Sequence, residues 1–237
     1  MIFVRSLLFN VWFFVLTFVC SVLGTFALMI SPDLLKRLEG QWVRWNLAGL
    51  RVICGIRLEL TGRENLPKGE AIFAAQHQSA FDGFVCLLLS PQGAYVVKRE
   101  LCGIPIFGRL LVHLGHVPVD RTAGATAMRS LLKYGCAALA SGRQLMIFPE
   151  GTRLAPGERG ELQPGVAALA SHSGAPVVPV ATDSGHCWGR NAFLKQPGTV
   201  HVVIRPALPV GLRRPALLAA VQQSWDEGQE MIRESCG

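Results

Sequence analysis

His77 and Asp82 follow an apolar run, Ala71 to Ala75, and stand five residues apart. That pairing is the sequence's best candidate for proton-transfer chemistry. Side chains five apart do not face each other along a regular helix. With His77 in a loop and Asp82 in the first turn of the next helix they can meet, so that the carboxylate fixes one ring nitrogen and the other takes a proton. The same residues allow a purely structural reading. Ser79-Ala80-Phe81-Asp82 fits a capping box, with Ser79 as N-cap and Asp82 closing the helix start. Spacing alone does not separate the two.

Three more groups of polar residues each follow a short apolar run: Lys98-Arg99, Asp120-Arg121-Thr122 and Pro149-Glu150-Gly151-Thr152-Arg153. Candidate strands are Arg57 to Thr61, Ala71 to Ala75, Ala94 to Val97, His116 to Val119, Gln144 to Phe148, Val177 to Ala181 and Val200 to Arg205. Candidate helices lie near Phe81 to Leu89, Phe107 to Leu114, Ala123 to Ser141, Pro164 to Ser173 and Pro215 to Glu234. Strands joined by helical crossovers run parallel, so their carboxyl ends share one edge, where open α/β sheets bind ligands. The expected fold is therefore α/β: a mostly parallel or mixed sheet of about seven strands flanked by helices. One histidine, acids and several cations would then surround one pocket.

The chain has 237 residues, half of them hydrophobic, and a mean hydropathy of +0.35. Much of that excess lies in Ser6 to Ile30, which as a helix extends about 37 Å, enough to span or lie deep in a bilayer. A retained anchor and a cleaved signal peptide both fit an apolar N-terminus; the run is longer than a usual signal core and no A-x-A site follows. After Pro32 a second helix carries Leu34, Leu38, Trp42 and Trp45 on one stripe, as an interfacial helix or an amphipathic core helix would. The division is residues 1–54 as membrane-anchoring helices and 55–237 as the αβ domain. Basic residues from Lys36 to Arg51 outnumber the single Arg5, which places the domain on the cytoplasmic side of the membrane.

The net charge of +7 favours polyanions such as lipid head groups or phosphorylated substrates. Nucleic acid is not expected, because no zinc-finger spacing, RNA-binding signature or isolated basic tract is present. Seven scattered cysteines without a C-x-x-C pair read as reduced core residues.

Four blocks in order resemble those of the glycerolipid acyltransferases: His77-Gln78-Ser79-Ala80-Phe81-Asp82, then Gly115-His116-Val117-Pro118-Val119-Asp120-Arg121, then Phe148-Pro149-Glu150-Gly151-Thr152-Arg153, then Val178-Pro179-Val180-Ala181. The resemblance runs from about Ile56 to Arg205 and is nearest to the 1-acylglycerol-3-phosphate acyltransferases. It implies His77 as general base and Asp82 as its orienting partner. It also implies phosphate or glycerol binding by Arg121, Glu150, Gly151, Thr152 and Arg153, with Lys98 as a supporting cation; an ion pair of Arg121 with Asp120 is the structural alternative. Gln76 stands where Asn is frequent, and Gln163-Pro164-Gly165 where many relatives are Lys-rich.

The implied reaction moves an acyl group from acyl-CoA or acyl carrier protein (acyl-ACP), as co-substrate, to the sn-2 hydroxyl of lysophosphatidic acid in a cell (inner) membrane. No cofactor or metal is expected. Glycerol-3-phosphate, lyso-ornithine lipid or another lysophospholipid are alternative acceptors. Three rivals carry less. A metal hydrolase would need His113 and His116 to share an ion although one ends a helix and the other starts a strand. Ser184 lacks the strand-turn-helix setting of a nucleophile, and a passive lipid-binding protein leaves Phe148 to Arg153 unexplained.

Overall fold

The structure is a computed structural model that describes residues 1–120 and 123–236. Strands β1 (Ile56–Thr61), β2 (Ala71–Ala75), β3 (Ala94–Lys98), β4 (Val117–Val119), β5 (Gln144–Ile147), β6 (Val177–Thr182) and β7 (Gly198–Ile204) make one sheet in the order β1-β7-β6-β2-β5-β3-β4. Central β2, Ala-Ile-Phe-Ala-Ala, is buried throughout, as a parallel strand covered on both faces must be. Its alternation divides the core. Ala71, Phe73 and Ala75 join one hydrophobic cluster, while Ile72 and Ala74 join the other. The first cluster packs under α1 (Ile2–Ile30), α2 (Pro32–Gly49) and α3 (Phe81–Leu89); the second packs under α5 (Ala125–Ala140), α6 (Gly165–Ser173) and α7 (Arg214–Cys236). The remaining helix, α4 (Phe107–His113), lies against α1 and α2 through Leu110 and Leu35.

Strands β6, β2, β5, β3 and β4 are parallel, as expected. The pattern breaks at β7, which is antiparallel to β6 and parallel to β1. The cause is the connection. Between β6 and β7 the chain makes only a short 3-10 turn, Ser184–His186, and no crossover helix. It therefore stays at the carboxyl edge and re-enters the sheet from there. Ser184 and the turn at Arg190 and Asn191, within loop 183–197, are thereby held beside the candidate site.

Ser31 caps α2 by accepting from Leu34 N–H at 3.1 Å, with Pro32 at the first helical position. The stripe expected on α2 is corrected: Leu35, Val43 and Asn46 are buried, and Leu38 and Trp42 line a cavity, while Leu34 and Trp45 face outward. Trp42 donates its indole N–H to Thr17 on α1 at 3.1 Å and packs on Phe13 and Phe84. Helix α1 lies along the αβ body for most of its length. Ser6 and Asn10 bind Lys195, Phe9 packs edge-on against Trp188 at 5.8 Å, and Gly24 gives Leu110 room to approach. Its other side exposes Phe3, Leu7, Phe14, Phe18, Phe26 and their neighbours.

Candidate active site

The chain leaves β2 at Gln76 and turns into α3 through residues that Asp82 organises. Asp82 Oδ2 accepts from His77 Nδ1 at 3.0 Å and from the backbone N–H groups of Gln78 and Ser79 at 2.8 Å each. Its Oδ1 accepts from the Ser184 hydroxyl. Both readings of the spacing hold together: Asp82 secures the helix entry and holds the imidazole. The cap itself is displaced. Ala80 occupies the N-cap, and the Ser79 hydroxyl accepts from Phe81 N–H at 3.1 Å. With a carboxylate accepting at Nδ1, the neutral ring carries its proton there, and Nε2 is the basic nitrogen.

The ring plane is set from another strand. Phe148, just past β5, stacks on His77 with centroids 3.8 Å apart and planes 4° from parallel, and Tyr95 meets Phe148 edge-on. Two hydrogen bonds lace the loops together: Leu154 N–H to the His77 carbonyl at 2.8 Å, and His77 N–H to Glu150 Oε2 at 2.6 Å. Gln76, where asparagine is frequent, is held by its Oε1, which accepts from Thr182 N–H and from Gln229 on α7.

His77, Lys98, Thr152, Arg153, Arg190 and Asn191 line one cavity of about 330 Å³. It borders a second of about 330 Å³ between the sheet and helices α1, α2 and α4, walled by Phe13, Leu35, Leu38, Trp42, Phe84 and Leu110 among others. Ala80, Gly83, Tyr95, Val97 and Leu101 belong to both walls. A cationic chamber with a base thus opens beside a hydrocarbon chamber.

Of the residues singled out from sequence, His77 and Asp82 meet, and Lys98, Thr152 and Arg153 share the chamber with His77. Arg121 lies outside the described residues. Glu150 does not line that chamber. It sits behind the His77 backbone and faces a polar cavity with Gln76, Gln78 and α7. Gly151 closes the turn through its N–H on the Phe148 carbonyl at 3.1 Å and supplies a φ of 68° that side chains resist. His113 and His116 part company: one binds the Arg109 carbonyl on its own helix, and the other binds Glu39 on α2 at 2.8 Å. Among the described residues no three His, Cys, Asp or Glu side chains are grouped to hold a metal ion.

Sequence reasoning missed Ser184, Phe148 as a ring support, and Arg190. Ser184 ends a strand run at the shared edge, a signal that could have found it. Arg190 carried no such signal, because its position depends on the reversal of β7.

Burial pushes the Glu150 carboxyl up to about 8, and nearby Asp82 adds to this, while the His77 N–H pulls the other way. A raised value means that the folded chain holds this proton more tightly than the unfolded one. The resulting stabilisation is full below 4.5 and is lost as pH rises through about 8. Glu150→Gln keeps an acceptor for His77 N–H and does not titrate. The wild-type melting temperature should therefore fall relative to that of Glu150→Gln across this interval. A difference that stays flat with pH would remove the buried proton from Glu150.

A buried His-Asp pair thus stands at the carboxyl edge of an α/β sheet, in a cationic chamber that borders an apolar one. Residues 57–183 match the family model for acyltransferases. Over 225 residues the chain is 34% identical to a 1-acyl-sn-glycerol-3-phosphate acyltransferase of Pseudomonas aeruginosa, covering 93% of this chain and 86% of that one. It is 31% identical over 156 residues to a protein of the same name from Limnanthes alba, covering 65% of this chain and 55%, about half, of that relative. The crystal structure of the 1-acyl-sn-glycerophosphate (LPA) acyltransferase PlsC from Thermotoga maritima superposes with a TM-score of 0.80 and 24% identity over 98% of both chains. The chain belongs to the acyltransferase family and is an O-acyltransferase.

Proposed function

We propose that the enzyme transfers a fatty acyl group from an acyl thioester, acyl-CoA or acyl-ACP, to the free sn-2 hydroxyl of lysophosphatidic acid, giving phosphatidic acid. The observation that carries this reading is the adjacency of two chambers that share the wall of Ala80, Gly83, Tyr95, Val97 and Leu101: the one that holds His77 and the cations suits a phosphate, the other an acyl chain. The names of the Pseudomonas and Limnanthes relatives point to the same acceptor.

Lys98 and Arg153 hold the phosphate, with Arg121 as a further cation, and Thr152 binds the glycerol part. His77 Nε2 takes the hydroxyl proton while the hydroxyl oxygen bonds to the thioester carbonyl carbon. The C–S bond then breaks, and the imidazolium returns the proton to the departing sulfur. Asp82 stabilises the imidazolium, and Ser184 and two N–H groups keep that carboxylate oriented. Glu150 and Gly151 act at one remove, by shaping the loop that carries His77. No cofactor enters this scheme.

Helix α1 has a window of mean hydropathy 2.4 and an apolar outer side. Its inner side is committed to the αβ body from Ser6 to Gly24, so it enters the bilayer lengthwise with the body at the surface. The basic residues Lys36, Arg37, Arg44 and Arg51 favour the cytoplasmic face of the inner membrane.

Purified protein in lipid vesicles, given lysophosphatidic acid with acyl-CoA or acyl-ACP in separate reactions, should release free thiol in step with phosphatidic acid detected by mass spectrometry. Thiol release with free fatty acid as the sole product would overturn the reading.

A further inference from the structure

Among the described residues, the chamber around His77 is lined by three cationic side chains, Lys98, Arg153 and Arg190, and by no carboxylate. Lys98 ends β3, and Arg153 lies in the loop after β5. Arg190 comes from elsewhere: loop 183–197, which the reversal of β7 keeps at the carboxyl edge.

The placement of Arg190 is built into that loop. Ala192 N–H donates to the Gly189 carbonyl at 3.1 Å, closing a tight turn with Arg190 and Asn191 at its tip. Asn191 has a φ of 53°, a conformation asparagine tolerates better than most residues. The Trp188 indole N–H braces the turn on the Ala192 carbonyl at 3.0 Å. Both flanks are pinned. Upstream, Ser184 binds Asp82. Downstream, buried Lys195 donates to Asn10 of α1 at 2.8 Å and lies 4.5 Å over the Trp188 ring. Trp188 also lines the apolar chamber, so a single turn carries part of both walls.

Arg190 and Lys98 are exposed at the rim of this chamber and Arg153 is half-buried, so all three charges stay hydrated until an anion enters, and an anion there can take charge-assisted hydrogen bonds from the braced turn as well as from the two strands. We propose that Arg190 is a specificity-determining contact for a substrate phosphate, gripping it from the β6–β7 loop while Lys98 and Arg153 hold it from the other strands. The inference rests on the reading that the acceptor carries a phosphate. A phosphate of the acyl donor offers the same chemistry.

Arg190→Gln separates these cases. The KM for lysophosphatidic acid should rise about tenfold, the loss expected for one charge-assisted hydrogen bond. The kcat and melting temperature should stay within about twofold and a degree or two of wild type. Arg190→Lys should recover part of the loss. Arg63→Gln, past the far end of β1, removes equal charge away from the chamber and should leave KM unchanged. If KM instead rises for acyl-CoA but not for an acyl thioester without phosphate, the phosphate gripped is the donor's. If KM for both substrates stays within twofold of wild type, or kcat and melting temperature fall together with KM unchanged, Arg190 has no such role. Wild-type protein that acylates another phosphate-bearing lysolipid and not lysophosphatidic acid overturns the acceptor assignment alone, and the Arg190 comparison is then made on that lysolipid.

Discussion

His77→Ala should lower kcat by about 10²- to 10⁴-fold, the range that general-base assistance supplies, while the dissociation constant for the lysolipid stays within a few fold. The change removes the ring's link to Asp82, while both backbone bonds of His77 survive it. Phe148 loses a stacking partner but keeps Tyr95 at its edge. Thiol release under saturating substrates measures kcat, and titration with lysophosphatidic acid measures binding. A kcat within a few fold of wild type would take the proton transfer away from this residue.

Asp82→Asn should produce the second largest loss, about 10²-fold or more in kcat, through a different cause. The carboxylate accepts from four groups, and an amide can oblige only some of them. Its own N–H would face either the Ser184 side or the cluster of donors at Oδ2. Facing His77, it turns Nδ1 into an acceptor and puts the ring proton on Nε2, the atom that must be basic. Stability should fall as well, since a buried donor without an acceptor costs about 1 to 3 kcal/mol. Ser184→Ala should show a smaller version of the same effect, because only one of the four donors is lost. Asp82→Asn with unchanged kcat would mean that the pair serves the helix start and not the chemistry.

The seven strands were legible because each is a short apolar run bounded by glycine, proline or charge; β2 and α3 match the expected bounds residue for residue. Strand ends drifted where a neighbour decides them. Gly198 pairs with Ile56 in a parallel ladder, so β1 and β7 both begin earlier than their side chains suggest. The reversal of β7 was not legible, because it depends on a loop choosing to stay at one edge, and no local pattern records that choice. The α2 stripe divides for a similar reason: Leu38 and Trp42 line a cavity, Trp42 also packing on the core at Phe84, while Leu34 and Trp45 face outward.

The site divides along the same line. His77 and Asp82 are close in the chain and their meeting follows from a turn of local geometry. Lys98, Thr152 and Arg153 were found because they follow strands at a shared edge. The resemblance implies a substrate role for Glu150; its side chain also accepts from the backbone of His77, a contact between loops that only the folded sheet brings together. Ser184 was dismissed as a nucleophile on sound grounds, and its bond to Asp82 appears only once β6 and α3 are side by side.

Acyl transfer by this site requires a single substrate to reach both the imidazole and the cations. The most direct measurement is a crystal structure of the His77→Ala protein with lysophosphatidic acid bound. The phosphate should sit between Lys98 and Arg153, with the sn-2 hydroxyl pointing to the space vacated by the ring and the acyl chain in the cavity beneath α1 and α2. A phosphate bound away from Lys98 and Arg153, or a hydroxyl turned away from position 77, would contradict it.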